Sequence, residues 1–237
     1  MLDPTGRVVM VSGASRGIGH AVARKLHAKG YSVSAGARDA EALAGTLADL
    51  AGERLLCAAY DAQDRASHAA WVDATVARFG RLDGLVNNAG TSNTFSIEAG
   101  DEAELDALFA INIKGPLFLT RLAMPHLRKA GSGRVVNLSS LSGKRVKNDN
   151  VAYAMTKHAL MALTHSTRRI GWDDGVRATA VCPSFVDTDL TASVTSVSRA
   201  EMIDPNDLAE LIAMAIALPN NAVVAEMLVN CRLEDLF

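Results

Sequence analysis

Net charge is nearly absent from this 237-residue sequence: Lys and Arg total 24, Asp and Glu 26, and the formal balance is −2. Such a balance gives no general attraction to nucleic acid or to an anionic membrane. No apolar run approaches the ~20 residues of a membrane helix. Residues 1–7 carry no basic stretch followed by a long apolar one, so a cytoplasmic location is expected. Cysteine is scarce too. Cys57, Cys182 and Cys231 are far apart, odd in number and free of any CxxC spacing, as in a reducing compartment. Each sits in an apolar run and reads as a buried structural residue. Six histidines show no metal spacing; His158 and His165 stand seven apart with no carboxylate or cysteine completing a ligand set, so no metal is expected. Internal repeats and low-complexity linkers are also missing, which predicts one domain over 1–237.

What is present is alternation. Apolar residues make up 49% and charged residues 21%, ordinary for a globular chain that can bury a sizeable core. Short β-rich runs at Arg7–Ser12, Tyr31–Ala35, Arg54–Tyr60, Leu82–Asn87, Arg134–Ser139, Val176–Cys182 and Val223–Asn230 are separated by helical spacing. Ile18, Val22 and Leu26 illustrate that spacing, with Gly30 as a stop; Leu105, Leu108 and Phe109 repeat it. The pattern predicts an α/β fold: a Rossmann-type doubly wound sandwich of about seven parallel strands with helices on both faces. In such sheets ligands bind beyond the carboxyl ends of the strands.

The segments after those runs are therefore the places to look. The first is followed by Gly13-Ala14-Ser15-Arg16-Gly17-Ile18-Gly19, opening a helix. Glycines let the backbone turn tightly and approach a pyrophosphate, which the helix N-terminus then receives. After the second run stand Arg38 and Asp39. An acidic residue there usually holds the ribose 2′-hydroxyl of NAD, and an arginine accommodates the 2′-phosphate of NADP. Convergence of Arg38 and Arg16 on that phosphate would favour NADP(H), leaving Asp39 to cap the helix near Ala40. Asp61 follows the third run, either to accept from the adenine amino group or to cap the next helix. Asn87-Asn88-Ala89-Gly90 follows the fourth, where backbone can pass close to a ligand.

At the other end, Tyr153 and Lys157 are four apart on one helix face. A phenol titrates near pH 10, so to serve as a base near neutrality it must fall by roughly two to three units. A lysine ammonium and a positive nicotinamide ring both favour phenolate. A hydroxyl such as that of Ser140 can hold a substrate oxygen.

Gly13-x-x-x-Gly17-x-Gly19, Asn87-Asn88-Ala89-Gly90, Asn112, Ser140, Tyr153-x-x-x-Lys157 and Pro183-Ser184-Phe185-Val186-Asp187-Thr188 together resemble the short-chain dehydrogenase/reductase family over nearly the whole chain. The resemblance implies a catalytic tetrad. Tyr153 would be general acid/base, Lys157 would lower its pKa and bind the nicotinamide ribose, Ser140 would polarise the carbonyl, and Asn112 would anchor a relay water. It selects Ser140 over Ser139 by its spacing to Gly143 and Tyr153. It also implies that Pro183, Val186 and Thr188 lie at the nicotinamide. Two positions depart from the family: Ser12 stands for threonine, and Ser184 for the glycine after Pro183.

The same resemblance places a substrate lid at about 189–203, here short, rich in Ser, Thr and Ala, and without aromatics. It implies homotetramers or homodimers built through helices near 105–127 and 151–170. The latter helix is apolar on more than one stripe, as a subunit contact requires. The basic loop Lys144-Arg145-Val146-Lys147 reads either as a lure for an acidic substrate or as solvated surface. The expected function is interconversion of a carbonyl and a secondary alcohol on a small molecule. Alternatives are a 3-oxoacyl thioester reductase, a 3-hydroxy acid dehydrogenase (a branch whose sequences Glu226-Met227 is similar to) and a regulatory module that senses NADP(H).

Overall fold

The computed structural model describes residues 1–234. Seven strands form one parallel sheet: β1 (Val8–Ser12), β2 (Ser32–Ala37), β3 (Leu55–Ala59), β4 (Gly84–Asn87), β5 (Arg134–Leu138), β6 (Arg177–Pro183) and β7 (Glu226–Val229). Their order is β3-β2-β1-β4-β5-β6-β7, the doubly wound arrangement expected. The helices are α1 (Gly17–Ala28), α2 (Ala40–Thr46), α3 (Arg65–Phe79), α4 (Glu102–Phe109), α5 (Gly115–Lys129), α6 (Val151–Gly171) and α7 (Pro205–Ala217). All seven predicted strands exist, with ends shifted by up to three residues. The largest shift is at β7, where only Glu226–Val229 finds a partner, in Ala180–Pro183 of β6.

Strand alternation builds two cores. Val9 and Val11 face one side, where Val22 and Leu26 of α1 meet Leu208, Ile212 and Ile216 of α7. Met10 faces the other, packed with Trp71 of α3 and Leu119, Ala123 and Leu127 of α5. Gly36 is needed because a side chain there would fall 2.7 Å from the Trp71 ring. A smaller cluster beneath α6 joins Leu141, Met161, Ala180 and Cys182. Cys182 is buried as expected, but Cys57 and Cys231 are only half-buried, because β3 is an edge strand and Cys231 follows the other edge strand.

α4 and α5 run together through a π-helical turn at Ala110–Lys114. The combined helix Glu102–Lys129 is long and apolar enough to cross a membrane, with mean hydropathy 1.2. Its residues Leu108, Leu119 and Leu127 are fully covered by the rest of the fold, as in a core helix.

Candidate active site

The sheet order reverses between β1 and β4, and the crevice at their carboxyl ends is where this fold binds ligands. Ser12 ends β1 there. Its hydroxyl accepts from the backbone N–H of Asn88 and of Ala89, both at 3.0 Å, and donates to the Val86 carbonyl. The Asn88 amide donates to the Ser12 carbonyl at 2.9 Å and the Gly13 carbonyl at 3.1 Å. Serine thus does the stitching at a position where the family usually has threonine, and Asn88 and Ala89 stiffen the glycine loop.

Gly13 and Gly17 both have positive φ, 67° and 57°, where L side chains are strained. A Cβ on Gly19 would overlap the Gly13 carbonyl oxygen and the Asn88 amide. At Gly17 it would lie 3.2 Å from the Thr188 methyl, so the loop after β6 rests on the glycine turn. Ser15 is half-buried beside them, and Ile18 packs into the α1/α7 core. α1 has no side-chain N-cap, so its first N–H groups remain free. This cradle fits a dinucleotide diphosphate on the chemistry of its donors.

Arg38 is exposed at the end of β2, and Asp39 caps α2 by accepting from the Ala42 N–H at 2.9 Å. The Arg16 guanidinium pairs with Asp189, at the start of the expected lid, at 3.0 Å. Asp61 does not cap α3. Its carboxylate closes a local turn on the Gln63 N–H, and Asp64, three residues on, caps the helix. Asp61 remains half-buried after β3, with its adenine-binding role open.

On the chemical side, β5 delivers two serines with different fates. Ser139 is buried and donates to the Lys157 carbonyl at 3.0 Å. The half-buried Ser140 accepts from the Ser142 N–H at 3.1 Å, and its hydroxyl favours ionisation of the Tyr153 phenol. Lys157 is buried, with Nζ donating to the Leu138 carbonyl at 2.8 Å and 5.3 Å from the Tyr153 ring centre. Burial lowers its ammonium to about 8, opposed by the nearby Cys182. Burial also pushes the Tyr153 phenol up to about 12, against the pull of Ser140. The expected fall of the phenol pKa is therefore absent from the protein alone: Lys157 sits over the ring face, and desolvation prevails.

Asn112 lies in the π-helical turn, a distortion frequent at functional sites. Its amide pairs with both the N–H and C=O of Thr91, at 2.9 and 2.8 Å, and reaches the Thr156 hydroxyl at 3.2 Å. It is thereby held beside Gly90, where a Cβ would lie 3.3 Å from Asn112 Oδ1 and 3.9 Å from Lys157 Nζ. Pro183 ends β6 buried, and the buried Val186 bridges to Ile203. The Thr191 hydroxyl donates to the Val186 and Thr188 carbonyls, at 2.6 and 2.9 Å, which shapes the segment after β6. Ser184 turns its hydroxyl to the Cys231 N–H at 2.9 Å, so its added bulk is absorbed by the segment after β7.

The basic loop is partly solvated, with residues 146–149 exposed, but its cations are paired. Lys144 pairs with Glu226 at 2.6 Å, and Arg145 and Lys147 pair with Glu234 at 2.9 and 3.2 Å. Its charges are answered within the chain. Sequence reasoning missed these carboxylates, Asp189 and Asn150. Asn150 alone had a local signal, a capping residue directly before a helix; it accepts from the Tyr153 N–H at 3.2 Å and donates to Ser92.

Residues 7–198 match the model of the short chain dehydrogenase family, and the chain belongs to that family. Its fold is of Rossmann type. Over 230 residues the chain is 46% identical to agropine synthesis reductase of Rhizobium rhizogenes, covering 97% of this chain and 53% of that protein, so it spans about half of that reductase's length. A metagenomic short-chain oxidoreductase in complex with NADP superposes with a TM-score of 0.83 at 34% identity, covering 98% of this chain and all of that one. The 3-ketoacyl-(acyl-carrier-protein) reductase of Brucella melitensis complexed with NADH gives 0.88 at 25% identity, covering 96% and 98%.

Proposed function

We propose that this chain is an NADP(H)-dependent reductase converting a small carbonyl compound to a secondary alcohol. The carrying observation is the placement of Lys157 Nζ 5.3 Å from the Tyr153 ring, with Ser140 beside the phenol and the glycine cradle at the same sheet end. When bound, the nicotinamide supplies the hydride that reduces the carbonyl carbon. Ser140 holds and polarises the carbonyl oxygen. Tyr153, a protonated phenol in the free protein, gives its proton to that oxygen as the C–H bond forms. Lys157 favours the resulting phenolate and holds the ribose. Asn112 keeps a water from which the phenol is reprotonated.

A phenol kept protonated by burial suits the reductive direction, and similarity to agropine synthesis reductase supports it. Arg38, exposed at the end of β2, supports preference for NADP(H), as does the NADP-bound relative. Free thiols at Cys57, Cys182 and Cys231 accord with a cytoplasmic setting. Met155, Ile170 and Leu122, 51%, 58% and 37% exposed on α6 and α5, would be covered in a homodimer or homotetramer.

The test is a panel of ketones, aldehydes, hydroxy acids, thioesters and carbonyl compounds of agropine synthesis, read by NADPH and NADH absorbance. Turnover abolished by Tyr153→Phe with NADPH binding intact supports the reading. Full turnover in that variant, or tight NADPH binding with no turnover across the panel, overturns it; the second result favours the sensing module.

A further inference from the structure

The segment after β7 is fastened at three points. The Cys231 N–H donates to Ser184 Oγ at 2.9 Å, on the loop after β6. Arg232 donates to the Ser196 carbonyl of the lid at 3.3 Å. Glu234, only 6% exposed, receives a two-pronged contact from Arg145, Nη2 at 2.9 Å and Nε at 3.2 Å, and a third from Lys147 at 3.2 Å. The three anchors belong to the loop after β6, the expected lid at 189–203 and the loop before α6. Loop 144–150 then runs directly into Asn150, which caps α6 at Tyr153.

We infer that Glu234 is a positioning residue for substrate binding: as the shared counter-ion of Arg145 and Lys147 it locks residues 230–234 against loop 144–150, so that this segment forms a fixed wall of the substrate site. The inference rests on the reductase reading for its kinetic part. Arg145 is 13% exposed at its side chain, and Glu234 is its one carboxylate partner among the described residues. A largely covered guanidinium left without its counter-ion is unfavourable, so loss of the Glu234 charge loosens the loop. Burial raises the Glu234 carboxyl, but Arg145 and Lys147 outweigh it and hold the group below the ordinary range, so the lock is charged at neutral pH. The same geometry turns the basic loop away from service as an anion receptor, because its cations are already occupied.

Glu234→Gln in the full chain tests this. KM for the best substrate of the panel is expected to rise about tenfold, with kcat and the Kd for NADPH within about twofold. Amide hydrogen exchange of residues 144–153 is expected to accelerate while that of β1 stays unchanged. Glu234→Asp, which keeps the charge, should recover most of the loss. Lys147→Met removes a half-exposed partner without emptying the core, and should raise KM about threefold if Glu234→Gln does not fold. Unchanged KM and unchanged exchange overturn the inference. So does a lower KM for anionic substrates, which would make Glu234 a competitor for the loop. A chain with no turnover on any substrate fails the reductase reading, and the exchange measurement still decides the lock.

Discussion

The Ser139 hydroxyl donates to the Lys157 carbonyl at 3.0 Å, while Lys157 Nζ donates to the carbonyl of Leu138, the residue before Ser139, at 2.8 Å. One serine of the pair is spent on fixing the lysine, which leaves the other for chemistry. Ser139→Ala is expected to cost about 1 kcal/mol of stability, measured by chemical denaturation, with modest change in kcat. Ser140→Ala should keep its stability and lose about a hundredfold in kcat. A fully active Ser140→Ala would refute the division of labour.

Arg16 pairs with Asp189 between two exposed side chains, a contact of small intrinsic strength. A 2′-phosphate would draw Arg16 away, and Asp189 would oppose the phosphate's charge. Asp189→Asn should therefore tighten NADPH binding severalfold and leave NADH nearly unchanged. Arg38→Ala should weaken NADPH about tenfold more than NADH. Fluorescence titration of both cofactors measures both ratios, and equal losses for the two cofactors would reject the NADP(H) preference.

Lys157 gives a pH signature. Its ordinary value is 10.5 and burial lowers it to about 8, so in the free protein its charge disappears as pH rises through about 8. The Tyr153 phenol stays protonated to about 12 and remains a competent acid throughout. The value of kcat/KM for NADPH reports the free enzyme, and is expected to be level below about pH 7 and to fall about tenfold per unit above 8. Stability moves the other way: between 8 and 10.5 the unfolded chain binds the extra proton, so this group's contribution to folding rises with pH in that window. A level kcat/KM profile to pH 10 would remove Lys157 from the mechanism.

The sheet was legible because buried parallel strands are continuous apolar runs. Val8–Val11 and Val135–Val136 cannot be placed elsewhere without exposing them. Strand ends were less legible, since a residue such as Val223 is apolar yet has no ladder partner. The glycine cradle and the Tyr153/Lys157 face were legible because turn geometry and helical spacing act locally. Asn112 was not, since the π-helical turn that presents it leaves no mark in the apolar spacing of Leu105, Leu108 and Phe109. Asp61 reads as a cap, but the helix starts three residues later than that and Asp64 caps it. The pairs Arg16–Asp189 and Arg145–Glu234 join segments distant in sequence, which no local pattern reports.

Two glycines separate steric need from helix propensity. Gly19 has an ordinary helical backbone, so its requirement is space: a methyl there would overlap the Gly13 carbonyl oxygen and the Asn88 amide. Neither neighbour can swing aside. The first is backbone, and the second is held by the carbonyls of Ser12 and Gly13. Gly19→Ala must therefore displace the cradle, costing about 1–3 kcal/mol of stability and most of the NADPH affinity. Gly45 in α2 is the opposite case, with nothing within 4 Å of an added methyl. Gly45→Ala should gain about 0.5–1 kcal/mol, because alanine loses less backbone freedom in a helix, and should bind NADPH as before. Denaturation curves and NADPH titrations of the two variants side by side decide the matter; equal cofactor affinity in both would mean that the turn after β1 is not where the diphosphate sits.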